Sequence, residues 1–219
     1  MADRKSSTSH GVRYHRAGTS HGEPQQRRRV GPWLGVGVLV LVLALAGVFG
    51  VRWWQERSAP AIAGERATEF PALDRSAFDP TQTAVVTVAE REFRAQGAGE
   101  KYAEGVSEPW CADFVSWVMR EAGAPLANPN SGSWRIPGVY TLQEYYASTG
   151  RFVRFGGYQP RTGDVLLYDD TSPFNQHTNI VLRADGGRVT TIGGNEFGQI
   201  TLHTFALAEV PGIVGFGRL

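Results

Sequence analysis

Cysteine is nearly absent: Cys111 is the single thiol in 219 residues. A lone thiol excludes an internal disulfide and a multi-thiolate metal site. Two roles remain for it, a small buried apolar residue or a nucleophile. Histidine is also scarce, with His10, His15, His21, His177 and His203 making up the five in the chain. An excess of charge is missing as well. The formal net charge is +1, so no nucleic-acid partner is expected. No internal repeat is present.

One long uncharged run stands out. Residues 33–51 are rich in Val, Leu, Ala and Gly, close to the ~20 residues a helix needs to cross a bilayer core. Trp33 lies at one end and Trp53–Trp54 at the other, where interfacial aromatics are expected. Arg27, Arg28 and Arg29 precede the run, with Arg13 and Arg16 further back; Arg52 and Arg57, partly offset by Glu56, follow it. This reads as a single transmembrane helix over 30–54 with residues 1–29 in the cytoplasm and the remainder outside, that is, a single-pass protein of the cell membrane. The alternative is a cleaved secretory signal, for which Ala61-Ile62-Ala63 resembles a cleavage site, although it lies well past the apolar run. Polar residues dominate 1–29, so a disordered basic tail is expected. Its arginines serve either as a topology signal or as a contact to anionic lipid. Residues 55–78 read as a linker.

Residues 79–219 have the length of one domain. Their first part predicts helices over 82–96, 110–123 and 140–148, with Gly123 and Gly150 as stops. The second part changes period. Short strands are predicted over 164–168, 178–183, 188–192, 199–203 and 212–216, and Asp185-Gly186-Gly187 turns between the second and third. Helices followed by a five-stranded antiparallel meander define the α+β class.

Cys111 falls at a helix start. Pro109 suits a first turn, and Val115, Val118 and Ala122 continue the Cys111 face, with Phe114 and Trp117 beside it. Free N–H groups and the helix dipole favour negative charge there. A cysteine nucleophile needs a base and a group that orients the base. His10, His15 and His21 belong to the cytoplasmic tail and cannot serve a domain on the other side. His177 begins a strand after the polar turn 171–176, where functional side chains are often displayed. His203 lies inside a strand and reads as half-exposed and structural. Gly193-Gly194-Asn195-Glu196 ends the neighbouring strand. Asn195 could hold the His177 tautomer, or Glu196 could do so with a charge, or the segment is simply a turn.

The order Pro109-Trp110-Cys111-Ala112 with Phe114, Val115, Ser116 and Trp117, then Pro160 with Gly163-Asp164-Val165, then His177 with Ile180-Val181, then Ile192-Gly193-Gly194-Asn195, resembles the CHAP domain, the cysteine/histidine-dependent amidohydrolase/peptidases. Ala89, Glu92 and Gly99-Glu100-Lys101-Tyr102 resemble that family's leading helix. The resemblance implies a papain-like fold, helices packed on an antiparallel sheet. It implies a peptidoglycan hydrolase, an amidase or an endopeptidase, that acts on stem peptides through a cysteine acyl-enzyme. Cys111 would be the nucleophile, His177 the base, and the Cys111 N–H a donor to the oxyanion. Many such domains carry glutamate where this chain has Gly193, so the third role falls to Asn195, with Glu196 next. Trp110, Tyr102 and Trp134 are either groove walls or core. Selectivity is expected in the loops 124–140 and 169–176. Some relatives bind calcium near the cysteine, but Glu100, Glu104 and Glu108 lack the ligand spacing calcium requires, so neither metal nor cofactor is expected. Gly193 also motivates a different class, a non-hydrolytic peptidoglycan-binding or cell-envelope scaffolding module. A transamidase would share the same acyl-enzyme.

Overall fold

A computed structural model describes residues 38–48, 50 and 61–219. The chain divides into two units, 1–53 and 54–219. In the first, residues 38–48 and 50 are helical, with Val38, Leu39, Val40, Leu41, Val42, Leu43, Leu45 and Val48 exposed. Among the described residues no helix is long and apolar enough to cross a membrane. The tail 1–29 and both ends of the expected span 30–54 lie outside the described residues.

The second unit holds four helices and seven strands among its described residues. Helix α1 runs Pro80–Ala95, α2 Gly99–Tyr102, α3 Cys111–Glu121 and α4 Val139–Ser148. The strands are β1 Glu65–Ala67, β2 Phe152–Arg154, β3 Val165–Tyr168, β4 His177–Asp185, β5 Arg188–Glu196, β6 Gln199–Ala206 and β7 Ile213–Gly217. They form one sheet in the order β1-β6-β5-β4-β3-β7-β2, with every pair antiparallel. The α+β expectation holds, but the five-stranded meander does not. Strands β3 to β6 form the meander, whereas β7 returns beside β3 and β2 pairs only with β7.

Residues 61–78 are also more than a linker. Arg66 pairs with His203 as β1 joins the sheet edge, and Phe70, Leu73 and Phe78 pack on the main core. A three-residue strand has no alternation to read, so β1 and β2 leave little trace in the sequence. Residues 55–60 lie outside the described residues.

Helix α1 starts because Asp79 and Gln82 cap each other. Asp79 accepts from the Gln82 N–H, Gln82 accepts from the Asp79 N–H, and Pro80 fills the first position. Val85, Val86, Val88 and Ala89 bury its inner side. Helix α3 differs from a one-faced surface helix. Every residue from Cys111 to Met119 is buried, so α3 is the centre of the domain, between the sheet and the other helices. Pro109 lies two residues before it, not within its first turn. Gly123 and Gly150 follow α3 and α4 at φ 78° and 68°, the left-handed region that stops a helix.

Candidate active site

Cys111 is the first residue of α3, and Trp110 before it makes no side-chain cap. The first-turn N–H groups of a helix have no partners within the helix, so uncapped donors surround the sulfur. The contact that brings α3 onto the sheet is made at Gly194. A Cβ there would meet Trp110 Cζ3 at 2.5 Å and Phe114 Cβ at 2.6 Å. Only glycine allows this approach. His177, the first residue of β4, then comes close enough to Cys111 for the cysteine to raise its pKa. Cys111 is 6% exposed and His177 5%.

One His177 nitrogen is taken by Glu196: Nε2 lies 3.0 Å from Oε1. This corrects the expectation for the third residue. Asn195 was expected to orient His177, but Glu196 does so. The cause is a register change. Ile180 pairs with Ile192, and continuing that register would set Asn195 against His177. Between Gly193 and Glu196, however, β5 bulges, with Asn195 at φ 63°. The bulge turns Glu196 onto the site face and takes Asn195 off it. Gly193 makes room for the carboxylate: a Cβ there would lie 2.1 Å from Glu196 Oε1 and 2.6 Å from Asn179 Nδ2. Glu196 therefore fills the space that a side chain at 193 would need. The Gly-Gly-Asn segment is strand, not turn.

Glu196 is buried and fully partnered. Oε1 also accepts from Asn179 Nδ2 at 2.7 Å, Oε2 accepts from the Thr201 hydroxyl, and His203 Nδ1 stands 3.0 Å from Oε2 and 3.4 Å from the Thr201 oxygen. Burial favours the neutral acid, but the hydrogen bond and charge of His177, with His203 beside it, outweigh this and hold the carboxyl down at about 2. Burial likewise disfavours charged His177, but hydrogen bonding to Cys111 and Glu196, with their charges, lifts it to about 10. Both shifts favour an imidazolium–carboxylate pair. Phe174 lies parallel to the His177 ring, 9° between planes and 5.4 Å between centroids, and so fixes its orientation. Phe174, Asn179 and Thr201 are site residues that sequence reading missed, and His203, read as half-exposed, is buried beside them. The spacing of two between His177 and Asn179 on β4 and between Thr201 and His203 on β6 is the trace they leave.

Two of the expected groove walls belong to the core. Tyr102 is fully buried, stacks on Trp110 at 5.2 Å and donates to Glu92 at 2.8 Å. Trp110 is buried between Tyr102 and Phe114. Trp134 is half-buried, packs on the core and carries the Arg120 guanidinium 4.1 Å above its ring. Two cavities, of about 340 and 620 Å³, lie around Asp79, Gln82 and Arg161; neither reaches Cys111 or His177. Among the described residues no cluster of three His, Cys, Asp or Glu could hold a metal ion.

Beside the cysteine lies a second polar set. Asp113 is fully buried, and Arg135 Nε approaches its Oδ1 at 2.8 Å without hydrogen-bond geometry. Arg135 also pairs with Glu108. Burial lifts the Asp113 carboxyl to about 6, and Arg135 only partly opposes this.

A thiol at a helix start, a buried histidine near it and a carboxylate behind the histidine are the three kinds of group that nucleophilic catalysis by cysteine requires. Residues 102–195 match the family model of the CHAP domain. Glu196 stands one residue beyond the matched segment. Among solved structures, "The crystal structure of Ly7917" is similar at 16% identity and a TM-score of 0.43, covering 62% of this chain and 61% of that one. "The crystal structure of Ly7917 with the hydrolyzing product of MDP" is similar at 21% identity and a TM-score of 0.35, covering 59% and 61%. The chain thus spans about three fifths of the length of these structures. No curated protein matches the chain.

Proposed function

We propose that the domain is a cell-wall hydrolase that cleaves amide bonds of peptidoglycan, as an amidase or an endopeptidase, through a cysteine acyl-enzyme. The observation that carries this reading is the continuous line Cys111–His177–Glu196 in and beside the segment that matches the CHAP domain. Cys111, as thiolate beside the His177 imidazolium, attacks the amide carbonyl. The oxyanion that forms is held by the free N–H groups at the start of α3. His177 gives its proton to the leaving amine as the C–N bond breaks. It then takes a proton from the water that attacks the thioester, and expulsion of the sulfur regenerates the thiolate–imidazolium pair. Glu196 keeps the ring in place and balances its charge throughout.

The apolar run within 30–54, with its flanking arginines and tryptophans, supports a single-pass membrane anchor and an extracytoplasmic domain. A non-hydrolytic binding module is motivated by Gly193 and by a membrane tether that restricts access to the wall; Glu196 in the space beside Gly193 removes the first of these motives.

Purified protein incubated with peptidoglycan should release fragments whose masses identify the bond cut. Cys111→Ala and His177→Ala should each abolish release while leaving the fold intact by circular dichroism. Release that survives Cys111→Ala would rule out the acyl-enzyme.

A further inference from the structure

Glu196 orients His177, and something must in turn orient Glu196. A carboxylate with one free oxygen can pivot about its last bond. Here neither oxygen is free, since Oε1 is shared by His177 and Asn179, and Oε2 by Thr201 and His203. The two donors on Oε2 are unlike. A threonine hydroxyl can rotate away, whereas the His203 ring is fixed at both ends. Its Nε2 accepts the Ile62 N–H at 3.2 Å, and the Phe174 ring meets it edge-on at 5.4 Å.

The Ile62 contact also decides the tautomer. A backbone N–H can only donate, so Nε2 carries a lone pair and the ring N–H is Nδ1, on the side of Glu196. We propose that His203 is a positioning residue, whose Nδ1–H pins Glu196 Oε2 so that Oε1 stays on His177. This rests on the hydrolase reading above. It also links the active site to Ile62, three residues before β1. Tyr168 on β3 is the remaining titratable side chain near this set, and burial, with Glu196 adding, keeps its hydroxyl protonated.

Two substitutions separate the two nitrogens. His203→Asn places an amide N–H near the Nδ1 position. His203→Gln reaches the Nε2 position and leaves Glu196 without that donor. Both would be made in the full chain, with folding checked by thermal melts. His203→Gln should lower kcat about tenfold with KM within about twofold. His203→Asn should stay within about threefold of wild type.

A second readout needs no peptidoglycan: the rate of iodoacetamide alkylation at Cys111, the single thiol. It should fall in His203→Gln and recover in His203→Asn, with the acid limb of its pH profile moved upward only in the former. A folded His203→Gln protein with wild-type kcat and alkylation would overturn the proposal. So would equal losses in both variants. If His203→Gln does not fold, Ile62→Pro removes the N–H that sets the tautomer and should slow both reactions; unchanged rates there also overturn it. A wild-type protein that alkylates rapidly but releases nothing from peptidoglycan would count against the hydrolase reading alone, because the alkylation arm still tests His203.

Discussion

At the scale of single residues, the site depends on space as much as on functional groups. Gly193 contributes nothing chemical, yet the Glu196 carboxylate occupies the volume its side chain would take. Gly193→Ala should therefore displace Glu196 and slow peptidoglycan hydrolysis about a hundredfold, the order expected for a misplaced catalytic group. Putting the carboxylate on the other residue, as Gly193→Glu with Glu196→Ala, should recover part of the loss. Wild-type rates in Gly193→Ala would show that Glu196 has room to spare. The cysteine and its histidine were legible in the sequence because scarcity and position left few choices. The third residue was not. Asn195 and Glu196 are neighbours, and which of them faces the site is decided by a bulge, which depends on backbone conformation and leaves no periodic signal.

At the scale of elements, α3 is held from both sides. Gly194 lets it settle on β5, and the segment after it folds back so that the Ile136 N–H donates to Ser116 at 3.2 Å. Arg135, beside Ile136, stands against buried Asp113. Removing only the arginine leaves a carboxylate without its counter-charge, so Arg135→Ala should cost about 3 kcal/mol in urea denaturation at neutral pH. Asp113→Asn should cost clearly less, since the charge itself is then absent. If the two cost the same, the ion pair is not what holds this segment. Helices α1, α3 and α4 were readable because their apolar positions recur at helical spacing over ten residues or more. The four-residue α2 and the three-residue β1 and β2 were not, because elements that short are defined by their partners rather than by their own pattern.

At the scale of the whole molecule, the buried His177–Glu196 pair makes folding stability depend on pH. His177 is raised from about 6.5 to about 10, so its contribution is complete below pH ~6.5 and is lost as the pH rises through 10. Glu196 is lowered from about 4.5 to about 2, so its contribution is present above pH ~4.5 and is lost as the pH falls through 2. The excess in Tm of the wild type over His177→Gln should therefore be greatest between about pH 4.5 and 6.5 and shrink on both sides. A difference that does not vary with pH would mean that the pair is not charged in the folded protein.

The place of β7 in the sheet has a consequence for the order in which the chain can assemble. Residues 213–217 are among the last in the sequence, yet they lie between β3 and β2. Until they emerge from the ribosome, β2 has no strand to join and one edge of β3 stays open. Cys111, His177 and Glu196 are all synthesised before the sheet that supports them can close, so a growing chain carries all three side chains some time before it has a finished scaffold.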